Sequence, residues 1–245
     1  MNETIRQLVW IAAPSVFAGA IQGVTGFGYG MLIMLFLPMV FSMQQASAIS
    51  QCLSVILCAS MFGKYRKEAS LRRIALPLAF YLPVFFVSLS ISAVLKADVL
   101  KPALGLFLIG MAVYMILFSG RITIKAGAGA AFVCGSIAAV GDAFFAIGGP
   151  PMVVYFLSTI EDKKEYLGTI QAFSVACSLY GVIMRVAKGQ ITLSLLPLLA
   201  VGIAAQQAGL VLGGKIVDRI QPEAMKRAVY GLIGTAGLIT FILNI

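Results

Sequence analysis

The sequence predicts an all-α integral membrane protein of two inverted repeats, each a broken-helix hairpin followed by three transmembrane helices. Three observations lead there: an oily composition, two glycine-rich interruptions at matching places, and basic residues gathered in a few short loops. Of 245 residues, 60% are hydrophobic and 11% charged, and the mean hydropathy is +1.00. Soluble domains carry charge at about 25% of positions. Apolar runs recur along the chain, suited to a hydrocarbon core about 30 Å thick. Backbone inside such a core must satisfy its own hydrogen bonds, so helices are expected, and no alternating short strands suggest a barrel.

Taken in order, the N-terminal MNETIRQLVW has one acid, one base and no small-residue cleavage site before Pro14. It reads as the start of a first helix and not as a removed signal. Apolar runs then fall at 7–22, 30–42, 45–62, 74–95 and 102–119, and again at 124–140, 150–160, 166–184, 192–214 and 224–244. The largest polar connection is KYRKEASLRR, 64–73, with five bases and one acid. No linker could hold a second domain, so residues 1–245 form one transmembrane domain, with repeat 1 about 1–120 and repeat 2 about 121–245. Two runs are too short to cross: at 1.5 Å per residue, 30–42 reaches about 20 Å and 150–160 about 16 Å. Each follows a break, GVTGFGYG at 23–30 and AIGGPP at 146–151.

At an offset of 120, Gly28 meets Gly148, Gln51 meets Gln171, and Ser54-Val55 meets Ser174-Val175. Leu76-Pro77-Leu78 meets Leu196-Pro197-Leu198, Asp98 meets Asp218 and Pro102 meets Pro222. In so apolar a chain the rare residues carry this correspondence. If each broken element returns to its own side, each half crosses an odd number of times and the halves are inverted; if it crosses once, they are parallel. Positive charge chooses between the two. With 64–73 in the cytoplasm, the hairpin arrangement keeps 13 of the 18 Lys and Arg inside. These are the five of 64–73, Arg121, Lys125, Lys163, Lys164, Lys215, Arg219, Lys226 and Arg227. The parallel arrangement keeps only 10, because it exports the loops at 163–164 and 215–227. Inverted repeats are expected.

Inverted repeats with interrupted helices are the architecture of secondary transporters, and irregular backbone at membrane depth is tolerated where it lines a cavity. The substrate site is therefore expected at Gly26, Phe27, Gly28 and Gly30 in the first break, and at Ile147, Gly148, Gly149 and Pro150 in the second. Helix starts there would offer free N–H groups and partial positive charge to an anion. Pro150 suits a first helical position. Thr25 and Tyr29 could add hydroxyls. Gln51 and Gln171 are each followed at i+3 by a serine, Ser54 and Ser174, on the same helical face. Two readings stand for these amides: donors to an oxyanion or interhelical hydrogen bonds. Asp142 is the one carboxylate well inside an apolar stretch, a candidate proton carrier or a local cap. Its counterpart at the offset is Gln22. The nearest bases, Arg185 and Lys64, read as loop-edge residues, so the site is expected to hold only fractional positive charge.

Other classes find little support. The net charge of +9 sits in short loops, where it sets orientation, so no nucleic acid is expected as a partner. There is no His, and Cys52, Cys58, Cys134 and Cys177 lie in apolar runs without CxxC spacing. No metal, cofactor or disulfide framework is expected, and the thiols read as small buried hydrophobes. Without HExxH or paired intramembrane acids, the chain is not read as an enzyme. The competing reading is an ion channel, because TGFGYG at 25–30 is close to the TVGYG filter. Such a channel has one filter loop and two helices per subunit, whereas this chain has about ten elements and its second break contains two prolines and no tyrosine.

The G-F-G-Y-G break leading to LxxxxxP, repeated as IGGPP-MVV about 120 residues on, resembles the TauE/SafE sulfite exporter family. The resemblance covers nearly the whole chain, with one departure: the second break reads G-G-P-P at 148–151 instead of a triple glycine. It implies a permease of the bacterial inner membrane for a small sulfur oxyanion or organosulfonate, such as sulfite or a sulfoacetate-like anion, driven by the proton gradient. The expected partners are that anion and the lipid bilayer, and the sequence leaves room for a homo-oligomer without specifying one.

Overall fold

The computed structural model describes residues 3–118, 127–216 and 222–242, and among these there is no strand. The helices are α1 (Glu3–Thr25), α2 (Tyr29–Ile33), α3 (Met43–Tyr65), α4 (Leu71–Val94) and α5 (Ala97–Phe118), then α6 (Ala128–Phe145), α7 (Gly149–Thr159), α8 (Lys163–Ala187), α9 (Leu196–Ile216) and α10 (Pro222–Ile242). Seven of them, α1, α3, α4, α5, α6, α8 and α9, are long and apolar enough to cross a membrane, with 18 to 25 residues and mean hydropathies of 1.5 to 2.1. At 1.5 Å per residue they reach about 27–38 Å. Phe86, Val87, Ile91 and Val94 of α4 are exposed although apolar, as suits side chains whose solvent is lipid tails. The protein is a multi-pass membrane protein.

α2 and α7 are the two short elements, with 5 and 11 residues. The expected run 30–42 is not one helix: after α2 the chain makes a 3-10 turn at Leu37–Met39, with Pro38 in its first positions. α5 starts earlier than its apolar run because Asp98 suits a helix N-terminus. α6 carries on through Asp142 to Phe145.

The long helices pair as α1 with α9, α4 with α6, α3 with α8 and α5 with α10. Under the offset of 120, α1 corresponds to α6, α3 to α8, α4 to α9 and α5 to α10, and this set of pairs maps onto itself. α3 and α8 run antiparallel, since Ser47 meets Arg185, Gln51 meets Gly181 and Tyr65 meets Gly168. α5 and α10 do likewise, with Gly105 beside Phe241 and Ala112 beside Gly234. α1 and α9 run parallel and nearly touch: a Cβ on Gly209 or Gly213 would lie 2.0 or 2.2 Å from the carbonyl oxygens of Val16 or Ala20.

The chain leaving α1 turns back along it, for the rings of Trp10 and Phe36 lie 6.5 Å apart. The connection after α3 meets the one before α8. Ser70 N–H donates to Thr169 Oγ1 (3.0 Å), Arg73 Nη1 donates to the Thr159 carbonyl (2.6 Å), and Arg73 pairs with Glu165 at 2.9 Å. The connection at 64–73 and the start of α8 with Lys163 and Lys164 therefore occupy one end of the molecule. Arg121, Lys125 and Arg219, counted above among the cytoplasmic charges, lie outside the described residues.

Candidate functional site

The first break begins where the Thr25 hydroxyl donates to the carbonyls of Ile21 (2.9 Å) and Phe27 (2.6 Å), turning the chain out of α1. Gly26 and Gly28 have φ of 82° and 105°, left-handed values that glycine adopts without strain. The Gln171 amide, from α8 in the other half, donates to the Gly26 carbonyl at 2.7 Å. As α2 starts, Tyr29 N–H is taken by Gln22 Oε1 at 3.0 Å, and Tyr29 Oη sits 3.2 Å from Ser15 Oγ. Not all the donors expected to be free at this helix start are free.

The second break is built differently. Ala146 caps α6 with φ 55°, its N–H donating to the Asp142 carbonyl. α7 then begins with Gly149, Pro150 and Pro151. Proline has no N–H, so Gly148 and Gly149 are the residues that supply backbone donors there. The two breaks touch, since a Cβ on Gly30 would stand 2.3 Å from the Ala146 carbonyl oxygen.

Between them lies a cavity of about 80 Å³ whose wall includes Gly26 to Gly30, Ile147 to Pro150, and the side chains of Ser54 and Ser174. A single water needs about 10–15 Å³ of such space, so the cavity suits a group of a few non-hydrogen atoms. Ser54 and Ser174 sit near the middle of α3 and α8, which puts the cavity near mid-membrane. Cys58 and Ser178, also related by 120, line it as well, as does Cys177.

Asp142 stands in this wall, buried, and its Oδ2 accepts from the Tyr81 hydroxyl and from Gln51 Nε2 at 3.3 Å. Gln51, Gln171 and Thr25 are not among the side chains lining the cavity; their donors are engaged with protein. Each glutamine crosses to the opposite half, Gln51 to α6 and Gln171 to the first break.

Besides Cys58, Cys177 and Ser178, three further residues were not expected here. Gln22 and Tyr81 line the cavity; Gln22 could have been suspected as the counterpart of Asp142, while Tyr81 gave no signal among many apolar-run aromatics. Arg185 corrects the reading of it as a loop-edge base, being only 1% exposed. Its guanidinium donates to the carbonyls of Asp142 (3.2 Å) and Ala143 (2.7 Å), to Ser47 Oγ (3.0 Å) and to Gln190 Oε1 (2.9 Å). Burying an unpaired charge is costly; here it is met by carbonyls of the last turn of α6, that of Ala143 and that of Asp142, which also takes the Ala146 N–H.

A family model described as sulfite exporter TauE/SafE matches residues 11–240. No curated protein and no solved structure matches the chain. Matched over nearly its whole length and built of membrane-spanning helices around two short broken ones, the chain belongs to the sulfite exporter TauE/SafE family, whose members are membrane transporters of sulfur compounds and not enzymes.

Proposed function

We propose that this protein is a secondary transporter that moves a small sulfur oxyanion or organosulfonate across the bacterial cytoplasmic membrane, and that the cavity between the two breaks is its substrate site. One observation carries the reading: both glycine-rich breaks, one from each half, meet at a single small cavity near mid-membrane. Gly28, Gly30, Gly148 and Gly149 bring backbone donors close to a bound anion, and Ser54 and Ser174 add hydroxyls from either side. Each of α3 and α5 runs antiparallel to its counterpart, which supports inverted halves and alternating access about this site. Asp142, in the cavity wall, is the proposed proton carrier.

Carbonyl usage favours a carrier over a channel. A potassium-type filter strips the ion's hydration shell with free carbonyls. Here the carbonyls of Gly26, Phe27 and Gly28 are engaged by Gln171, Thr25 and Leu32 N–H. Proteoliposome uptake against a panel of sulfite, thiosulfate, sulfate, methanesulfonate and C2–C3 sulfonates tests the reading. Saturable uptake with counterflow of at least one sulfur anion is expected. Single-channel currents, or no sulfur anion carried, would overturn it.

A further inference from the structure

We propose that Arg185 is a positioning residue for transport: it seals the end of the cavity at which α3 begins and α8 stops. The inference rests on the reading of that cavity as the substrate site. On α8, Ser178 lines the cavity and Arg185 lies two turns further on, about 10 Å. On α3, Ser54 lines the cavity and Ser47 lies two turns back toward the same end. The Arg185–Ser47 contact at 3.0 Å thus closes the space between the two helices just beyond the cavity.

The same guanidinium reaches Gln190 in the connection after α8 and the last carbonyls of α6. One side chain therefore joins three helices and a surface connection, through charge-assisted hydrogen bonds from which water is excluded. Its hold on Asp142 and Ala143 fixes the turn that leads into the second break, so release of the seal would also free the backbone around the substrate.

Among the described residues, the opposite end holds no buried guanidinium. The counterparts of Arg185 and Ser47 at the offset are Tyr65 and Leu167, both only half-buried. What joins the helices there is the Ser70–Thr169 hydrogen bond, the Arg73 hydrogen bond to the Thr159 carbonyl, the close approach of Gly168 to the Tyr65 carbonyl, and the Arg73–Glu165 pair, whose side chains are 44% and 29% exposed. Exposed pairs of this kind hold weakly. A buried charge closes one end, whereas neutral contacts and a partly exposed ion pair close the other, so the first is the contact whose loss should change access most.

Native thiols report on it. Cys58 and Cys177 line the cavity, and replacing Cys52 and Cys134 by serine leaves them as the only cysteines. In membrane vesicles of both orientations, labelling by the impermeant sulfonatoethyl methanethiosulfonate is followed with time. Arg185→Ala is expected to speed labelling from the side of Gln190 by about tenfold or more, the shift of an opening equilibrium for one charged hydrogen bond lost. Labelling from the side of Ser70 should be unchanged. A Ser47→Ala, Gln190→Ala double variant keeps the charge and should give a smaller rise on the same side; it decides the matter if Arg185→Ala does not fold. Arg185→Lys should restore part of the protection. Unchanged labelling in folded variants, or an equal rise from both sides, would overturn the seal. A rise from the cytoplasmic face alone would uphold the seal and overturn the orientation given to the loops. Labelling reads access and not cargo, so the sulfur-anion reading stands or falls separately, on uptake.

Discussion

At the scale of single residues, Asp142 holds two donors on one carboxylate oxygen, the Tyr81 hydroxyl and the Gln51 amide. Asparagine keeps an acceptor there but cannot carry a proton. Asp142→Asn should therefore spare substrate exchange at equal pH while abolishing the response to an imposed pH gradient. An unchanged response in proteoliposomes would make Asp142 a structural cap. Gln171 invites a different test, because its amide satisfies a carbonyl in the first break, 145 residues away. Gln171→Ala leaves that buried carbonyl unpaired, at about 1–3 kcal/mol. Thermal unfolding should move down, and substrate affinity should weaken as Gly26 to Gly30 lose their brace. A fall in stability with affinity unchanged would confine Gln171 to holding the fold. The sequence made both glutamines legible as paired polar groups, and left open whether they faced ligand or helix. Periodicity places a side chain on a face without naming what lies opposite.

Among the elements, the breaks were the most legible. Glycine at a left-handed φ and proline at a helix start are local chemistry, so Gly26, Gly28 and Pro150 announced the interruptions. The tight seam of α1 on α9 is not legible in the sequence alone, although GAIQG at 19–23 and GLVLG at 209–213 both have small-xxx-small spacing. Only the pairing of the two helices shows what these glycines do. Gly209→Ala would put a methyl group 2.0 Å from the Val16 carbonyl oxygen. The helices must separate, a clash that costs about 1–3 kcal/mol. A lower unfolding temperature in detergent is the expected result, and an unaltered one would mean that the seam can part freely. At Gly214, on the same helix, a Cβ meets nothing within 4 Å, so Gly214→Ala serves as the control.

For the molecule as a whole, the basic connection at 64–73 and the segment 159–169 share one end, bound by Arg73 and Ser70. By the positive-inside rule, that end is proposed to be cytoplasmic. In a cysteine-free chain, Ser70→Cys should react with impermeant thiol reagents only from the cytoplasmic face, and Thr192→Cys only from outside. Labelling of both from one face would undo the sidedness.

The sequence by itself determined the helical membrane class, the two breaks and the gathering of positive charge, because hydropathy, glycine and proline chemistry and loop charge act over a few neighbouring residues. The tertiary structure alone decided which polar groups meet. Tyr81 finds Asp142 across 61 residues and Gln51 finds it across 91. Arg185, two residues short of the end of α8, turns inward to the carbonyls of α6 instead of outward to water. A buried charge goes where hydrogen-bond acceptors are brought within its reach, and only the packing of distant helices brings them there.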